Sequence, residues 1–358
     1  VIEAPPPTSE VAGNLEGQDI RAFTLSNGCG MSVRILEYGA ILQTIHVPDA
    51  RRAIDNVALG FRNLDEYVAD HSYFGAIVGR FANRIENGEF SLDGHVYHIT
   101  VNDPPTSVHG GASGFNDKVW KGTPFSTSHS SGVRMHYTSP AGEEGFPGTL
   151  NVEVVYELLG EENTLRVEYR ATTDQPTIIN LTNHSFFNLG GEGNGNVLGH
   201  LVTIDADSYL PLTAQMTPIG VISAVADTPM DFRTPHRIGA RMQDGYEQLA
   251  LVGGYDHNYV LRPHGSELVR AVRVTAPNSG RTLEVWTTEP AVDFYTGNMF
   301  DGSIIGYSGG AYLSHAGVAI EPEHVSNSPN LASFPSTTLR PGDAYHSVTE
   351  LRFGIQKF

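Results

Sequence analysis

The feature that most constrains this chain is its rhythm. Short segments that alternate apolar and polar residues, or that are apolar throughout, follow one another along most of its length. They include MSVRILEY (31–38), AILQTIHV (40–47), LNVEVVYELL (150–159), LRVEYRAT (165–172), HLVTIDA (200–206), ALVGGYDHNYVL (250–261), VRAVRVTA (269–276) and TLEVWTT (282–288). Successive side chains of a strand point to opposite faces, so a period of two marks a strand with one buried side. Between the segments stand turn sequences: SNG at 26–28, ENG at 86–88, LDG at 92–94, FDG at 300–302 and PGD at 341–343. There Gly, Asn and Asp supply the backbone conformations of tight reversals. Glycine and proline, 39 and 21 of 358 residues, exceed the roughly 12% of average usage. Helical patterns are few; NLDEYVAD (63–70) is expected to form a short helix, with Asn63 as its cap. The pattern predicts an all-β fold of many strands, a sandwich or a barrel. VIEAPPPTSE opens the chain with three prolines and no alternation. Residues 1–16 are therefore expected to be a flexible leader, and 17–358 one large domain.

The formal charge is −18. Phosphate backbones and anionic lipid surfaces are repelled by such a chain, so neither nucleic acid nor membrane is an expected partner. The same charge also serves solubility, and it suits a neutral ligand better than an anionic one. Cys29 is the single cysteine, which excludes an internal disulfide. No apolar run approaches the roughly 18 residues of a membrane-spanning helix. A start at Val1 fits a removed secretory signal as well as a trimmed terminus. The expectation leans towards export, periplasmic or secreted, over the cytoplasm.

Four segments, two of them pairs of stretches, place polar groups where a plain strand would not. In NLTNHSFFNLGG (180–191), one face of a strand would carry Asn180, Thr182, His184, Phe186 and Asn188, and the other Leu181, Asn183, Ser185, Phe187 and Leu189. Amides, a hydroxyl and an imidazole around an aromatic ring suit a sugar, whose hydroxyls take hydrogen bonds and whose C–H patches pack on rings. In GVAIEPEHVSNSPN (317–330), Val318 and Ile320 point one way and Ala319 and Glu321 the other. Pro322 is expected to end or bulge the strand. A carboxylate at the end of an apolar strand has a tunable proton affinity. VGRFANRIENGEF (78–90) offers Arg80, Asn83 and Arg84, and NDPPTSVHGG (102–111) sets His109 in a Gly-rich loop that lets backbone approach a ligand. GGYDHNYVL (253–261) and WTTEPAVDFYTGN (286–298) place Asp256 and Glu289 in otherwise apolar strands, where an acid needs an ion-pair partner or a ligand. Each stretch alone also fits an ordinary structural loop or a solvated strand end. Fifteen histidines raise the question of metal. However, no HExxH is present, and the histidines of HVYH (95–98) face opposite sides of a strand, so no metal site is expected. Nucleophile-elbow, P-loop and dinucleotide signatures are also missing.

Taken together, GRFANRI, SVHGGASGF, NLTNHSFFNLGG, YDHNYVL, VDFYTGNMFDG and AIEPEHVSNSPN resemble, in order, the motifs of the aldose 1-epimerase (galactose mutarotase) family, over nearly all of Gly17 to Phe358. The resemblance implies a large single-domain antiparallel β-sandwich, the galactose mutarotase-like supersandwich, with the sugar in a cleft on its concave face. It implies an isomerase interconverting the α and β anomers of aldohexoses such as glucose and galactose, with His184 as general acid and Glu321 as general base. Asn83, Arg84 and His109 would surround the sugar ring, and Asp256 would grip its hydroxyls. Phe186 stands where the family often has Tyr. Glu289 and Glu323 stand where Gln is common, which puts the sugar preference in question. A small-molecule sugar partner, no cofactor, and a monomer or weak dimer are expected.

The chemistry asks for such groups. Ring opening needs a base at the C1 hydroxyl and an acid at the ring oxygen; the C1 carbonyl then rotates and the steps reverse. A free carboxylate titrates near 4.3 and a free imidazole near 6.5. Glu321 is thus expected ionised at neutral pH and His184 partly protonated, more so if acids lie nearby. The residues also leave room for other readings: a retaining glycosidase built on Glu321 with Asp256 or Glu289, an epimerase of another aldose or of a sugar phosphate, or a sugar-binding domain without turnover.

Overall fold

The computed structural model of the chain describes residues 4–356. Its regular structure is almost entirely strand, in antiparallel sheets. The largest has nine strands, in the order Lys121–Ser126, Ser130–Ser139, Leu150–Leu159, Thr164–Thr173, Tyr345–Ile355, Arg281–Thr287, Val269–Thr275, Leu201–Ile204 and His236–Arg237. A second has six: Phe186–Phe187, Val318–Glu323, Ala291–Tyr295, Asp256–Leu261, Ala206–Tyr209 and Ser223–Ala224. A third, of five, is built from Thr8–Leu15, Gln18–Ser26, Ser32–Leu36, Leu42–Pro48 and Ile54–Asn56.

One apolar core joins the three sheets. Val154, Tyr156, Val167, Tyr169, Leu283 and Val285 of the nine-stranded sheet pack in the same buried cluster as Tyr259, Val292, Phe294, Val318 and Ile320 of the six-stranded one, with Phe23, Val33 and Ile45 of the third. At about 1.5–3 kcal/mol for each large apolar side chain removed from water, this cluster is the main favourable term. The alternation that announced Leu150–Leu159 is visible in it: Leu150, Val152, Val154, Tyr156 and Leu158 are buried, while Asn151 is exposed. The fold is all-β, as the strand pattern predicts, and is the antiparallel β-sandwich that the resemblance implies.

The same alternation gives the six-stranded sheet two unlike faces. His257, Tyr259, Val292, Phe294, Val318 and Ile320 are buried on the core side. The opposite face carries Asp256, Asn258, Asp293, Tyr295, Ala319, Glu321 and Glu323. The antiparallel register sets Asp293 opposite both Glu321 and Asn258, and Tyr295 opposite both Ala319 and Asp256.

Several expectations are corrected. Within the supposed leader, Thr8–Leu15 is a strand paired with Gln18–Ser26 around a turn at Glu16 and Gly17 (φ 50° and 89°); residues 1–3 lie outside the described residues. It is an edge strand with few apolar residues, Ala12 and Leu15 packing inward, so it carries little alternation to read. Residues 200–206 cross from one sheet to another at Asp205, which is hydrogen-bonded by Arg270 Nε at 2.9 Å. ALVGGYDHNYVL is a strand only in its second half: its first three residues end the helix Glu247–Val252, which stops at Gly253 (φ 72°) before the strand Asp256–Leu261 begins. The strand Val318–Glu323 runs straight through Pro322, opposite Val292. The Pro322 carbonyl points to the other side and accepts the Thr182 hydroxyl at 2.9 Å. N–H and C=O of one strand residue share a side, so the missing donor also faces away from Ala291–Tyr295. Leu64–Ala69 is helical as expected, with the Glu66 carboxylate accepting the Asn63 N–H at 2.9 Å.

Candidate active site

NLTNHSFFNLGG is not one strand. It contributes only the two-residue strands Thr182–Asn183 and Phe186–Phe187. Most of its polar groups tie chain segments together instead of facing a ligand. Asn180 donates to the carbonyls of Ala82 (3.2 Å) and His324 (3.0 Å) and accepts the His324 N–H (2.9 Å). Asn188 donates to Ala316 O at 3.0 Å and Asn183 to Gly75 O at 2.7 Å. From this stretch His184 and Phe186 reach a cleft.

That cleft, of about 340 Å³, lies over the polar face of the six-stranded sheet. Asp256, Asp293 and Glu321 form its floor, Asn83, Arg84 and His109 one wall, and Tyr73, Met299, Phe300 and Ile304 further lining. The wall is two interlocked loops. Asn83 and His109 both take left-handed backbone conformations, φ 63° and 53°. The Asn83 N–H donates to His109 Nδ1 at 3.2 Å and the His109 N–H to Asn83 O at 3.1 Å. His109 is thereby fixed with its acceptor nitrogen inward to Asn83.

His184 is held on all sides. Its N–H donates to Ala76 O and its carbonyl accepts from Gly75, both at 2.9 Å. Its ring lies between Tyr73, stacked at 5.7 Å, Phe186 at 4.8 Å and His109, edge-on at 5.2 Å. Nε2 stands 3.4 Å from Glu321 Oε1, and both side chains are almost wholly buried. Burial moves the two groups in opposite senses: it lowers the His184 pKa to about 4 and raises that of Glu321 well above the usual carboxylate range, with Glu323, Asp293 and Asp256 adding to the rise. Burial thus favours the neutral form of both groups, the imidazole without its extra proton and the carboxyl with one, the reverse of the arrangement expected from free side chains. Burial also keeps His109 neutral, helped by His184 and Arg84.

Seven of the eight sequence-derived residues, His184, Glu321, Asn83, Arg84, His109, Phe186 and Asp256, line this one cleft. Glu289 does not. It lies past the end of the strand Ala291–Tyr295, where its carboxylate meets His324 Nδ1 at 2.6 Å and accepts the Tyr345 hydroxyl at 3.2 Å. Its need for a partner is met by an ion pair behind the cleft. Asn83 departs in a different way: its amide hydrogens are already committed, to Asp293 Oδ2 at 2.6 Å and Glu323 Oε1 at 2.9 Å. Sequence reading overlooked Asp293, Tyr295 and Tyr73. Asp293 and Tyr295 lie in VDFYTGN, two apart and so on one face, but strand parity cannot tell which face is the cleft. Tyr73 sits outside any recognised motif.

The family model described as Aldose 1-epimerase matches residues 21–352. The galactose mutarotase of Mus musculus is 42% identical over 350 residues, 97% of this chain and 98% of that one. The aldose 1-epimerase of Escherichia coli (strain K12) is 34% identical over 342 residues, 94% and 96% of the two chains. Among solved structures, a galactose 1-epimerase from Lactobacillus acidophilus superposes with a TM-score of 0.86 at 26% identity, covering 98% and 99% of the two chains. An aldose epimerase homologue from C. elegans superposes with a TM-score of 0.85 at 30% identity, covering 93% and 98%.

Proposed function

The chain belongs to the aldose 1-epimerase family and is an isomerase that interconverts the α and β anomers of aldoses; we propose that it does so on free aldohexoses such as galactose and glucose, with His184 as general acid and Glu321 as general base. The observation that carries this reading is the 3.4 Å approach of His184 Nε2 to Glu321 Oε1 at the bottom of one cleft. The two oxygens that exchange protons in mutarotation, the C1 hydroxyl and the ring oxygen, are bonded to the same carbon. The groups serving them must therefore be near neighbours, each facing one oxygen.

The pair needs one proton and one vacancy. With the proton on His184, Glu321 takes the C1 hydroxyl proton while His184 protonates the ring oxygen and the C1–ring-oxygen bond breaks. This leaves neutral imidazole and protonated carboxyl, the forms that burial favours. The carbonyl turns, Glu321 returns its proton to the carbonyl oxygen, His184 takes the proton of the attacking hydroxyl, and the opposite anomer closes. Sugar hydroxyls bonded to the Glu321 carboxylate favour the charged arrangement at the start of the cycle. Asp256 and Arg84 face the cleft as acceptor and donor for the remaining hydroxyls.

Polarimetry on freshly dissolved α-D-galactose and α-D-glucose tests the assignment. The enzyme accelerates the decay of rotation, and Glu321→Gln and His184→Gln each lose about 10²–10⁴-fold in kcat, the usual contribution of a positioned acid or base. Wild-type rates in either folded variant would overturn it.

A further inference from the structure

The floor holds more carboxyl groups than the proposed chemistry requires. Asp256, Asp293, Glu321 and Glu323 lie on one face of three adjacent strands, with Asp293 at the centre, directly opposite Glu321. Asp293 is faced by Asp256 and Asn258 from one neighbouring strand, by Glu321 and Glu323 from the other, and by Asn83 and Arg84 from the loop above. His184 and His109 close the same cleft. Among the described residues lining it, Arg84 is the one permanent cation, and its guanidinium turns towards Asp103 at 3.4 Å. Asp293 and Glu323 are held by an amide instead: a single nitrogen, Asn83 Nδ2, contacts both at 2.6 and 2.9 Å. Glu323 Oε1 takes a second amide, Asn258 Nδ2, at 2.9 Å. The remaining oxygens, Asp293 Oδ1, Glu323 Oε2 and Glu321 Oε2, are buried with no partner among the described residues. A buried carboxyl oxygen without a donor is the natural seat of a proton.

We propose that Asp293 is a positioning residue of the anomerisation reaction, whose charge, acting across the strand pair on Glu321, sets the pH at which that base becomes available. The proposal rests on the reading of Glu321 as base. Its physics is like-charge repulsion between directly paired strand residues in a dry site. Burial, reinforced by the charge of Asp256, lifts Asp293 to about 7, so it loses its proton around neutral pH. Each time it does, Glu321 holds its own proton more tightly.

The test is the pH dependence of kcat/KM for galactose by polarimetry. Replacing Asp293 by Asn keeps the shape and the contact to Asn83 but removes the charge. The acidic limb of Asp293→Asn is expected to move to lower pH by about one unit, the scale of one close charge. Glu323→Gln moves it in the same direction. A role in packing alone lowers the plateau and leaves the midpoint in place, and an unmoved limb in Asp293→Asn overturns the proposal. Glu321→Gln, run alongside, separates the two readings: if it stays active, the base assignment has failed; if it is inactive while the Asp293→Asn limb coincides with wild type, only the present inference has. Should Asp293→Asn not fold, Asp293→Gln carries the same measurement. Infrared difference spectra of the wild-type enzyme between pH 6 and pH 8 must also show a buried protonated carboxyl being lost, and a flat difference spectrum overturns the proposal as well.

Discussion

Glu289 and His324 show at the scale of single residues how an acid that sequence assigns to a site can belong to the scaffold. Burial by itself would raise Glu289, but the His324 charge and the hydrogen bonds with His324 and Tyr345 bring it below its ordinary value. Burial opposes the charge on His324, and Glu289 overcomes it, raising the imidazole above its ordinary value. The histidine part of this stabilisation is complete below about pH 6.5 and disappears as pH rises through its raised pKa. The carboxylate part is complete above about pH 4.3 and disappears as pH falls through its lowered pKa. The pair therefore contributes most between those limits. Glu289→Gln is expected to lose about 1–3 kcal/mol in urea unfolding at pH 6, discounted for the partly exposed imidazole. The deficit shrinks at pH 9, and kcat on galactose stays near the wild-type value. An equal deficit at both pH values would remove the ion pair from the explanation. Within the cleft, His184, Glu321 and Asp256 were legible because each sits in a motif of unusual composition. Asp293 was not, because its importance lies in its register against Glu321, and pairing between strands far apart in sequence leaves no mark on either one.

At the scale of elements, what could be read depended on how each segment satisfies its backbone. Leu150–Leu159 and Thr164–Thr173 make full ladders with one face in the core, so alternation runs through most of their length. Residues 177–188 lie where sheets meet, and their backbone groups find partners on several different segments. The amides that resembled a ligand-binding face supply those partners. Asn180 is wholly buried and joins Ala82, beside the Asn83–Arg84 wall, to His324, which follows the Glu321 strand. Asn180→Ala leaves two carbonyls and one N–H short of a partner. It is expected to cost about 3 kcal/mol or more, since each buried unsatisfied group costs about 1–3. Because the two elements it joins carry the wall and the base, kcat/KM falls with it even at temperatures where the fold persists. A variant with lowered unfolding midpoint but wild-type kinetics would show that the wall and the base strand hold their places without this link.

Charge is a property of the whole molecule, and here it discriminates among ligands. The chain carries 40 acidic against 22 basic residues, and its cleft sets three carboxyls, with Glu323 beneath them, against Arg84. A free aldose is neutral, so its encounter with this field involves no net Coulomb work. A hexose 6-phosphate, carrying about two negative charges, meets repulsion over the full range of that field before any contact forms. Salt distinguishes the two, because the screening length falls from about 30 Å at 0.01 M to about 3 Å at 1 M. Polarimetric kcat/KM for galactose is expected to stay level across that range. The value for galactose 6-phosphate starts far lower and climbs with salt, since only its approach is opposed by a field that salt removes. If the phosphate ester proved the better substrate at low salt, a cationic pocket would have to operate against the charge of the entire protein, and the assignment to free sugars would fall.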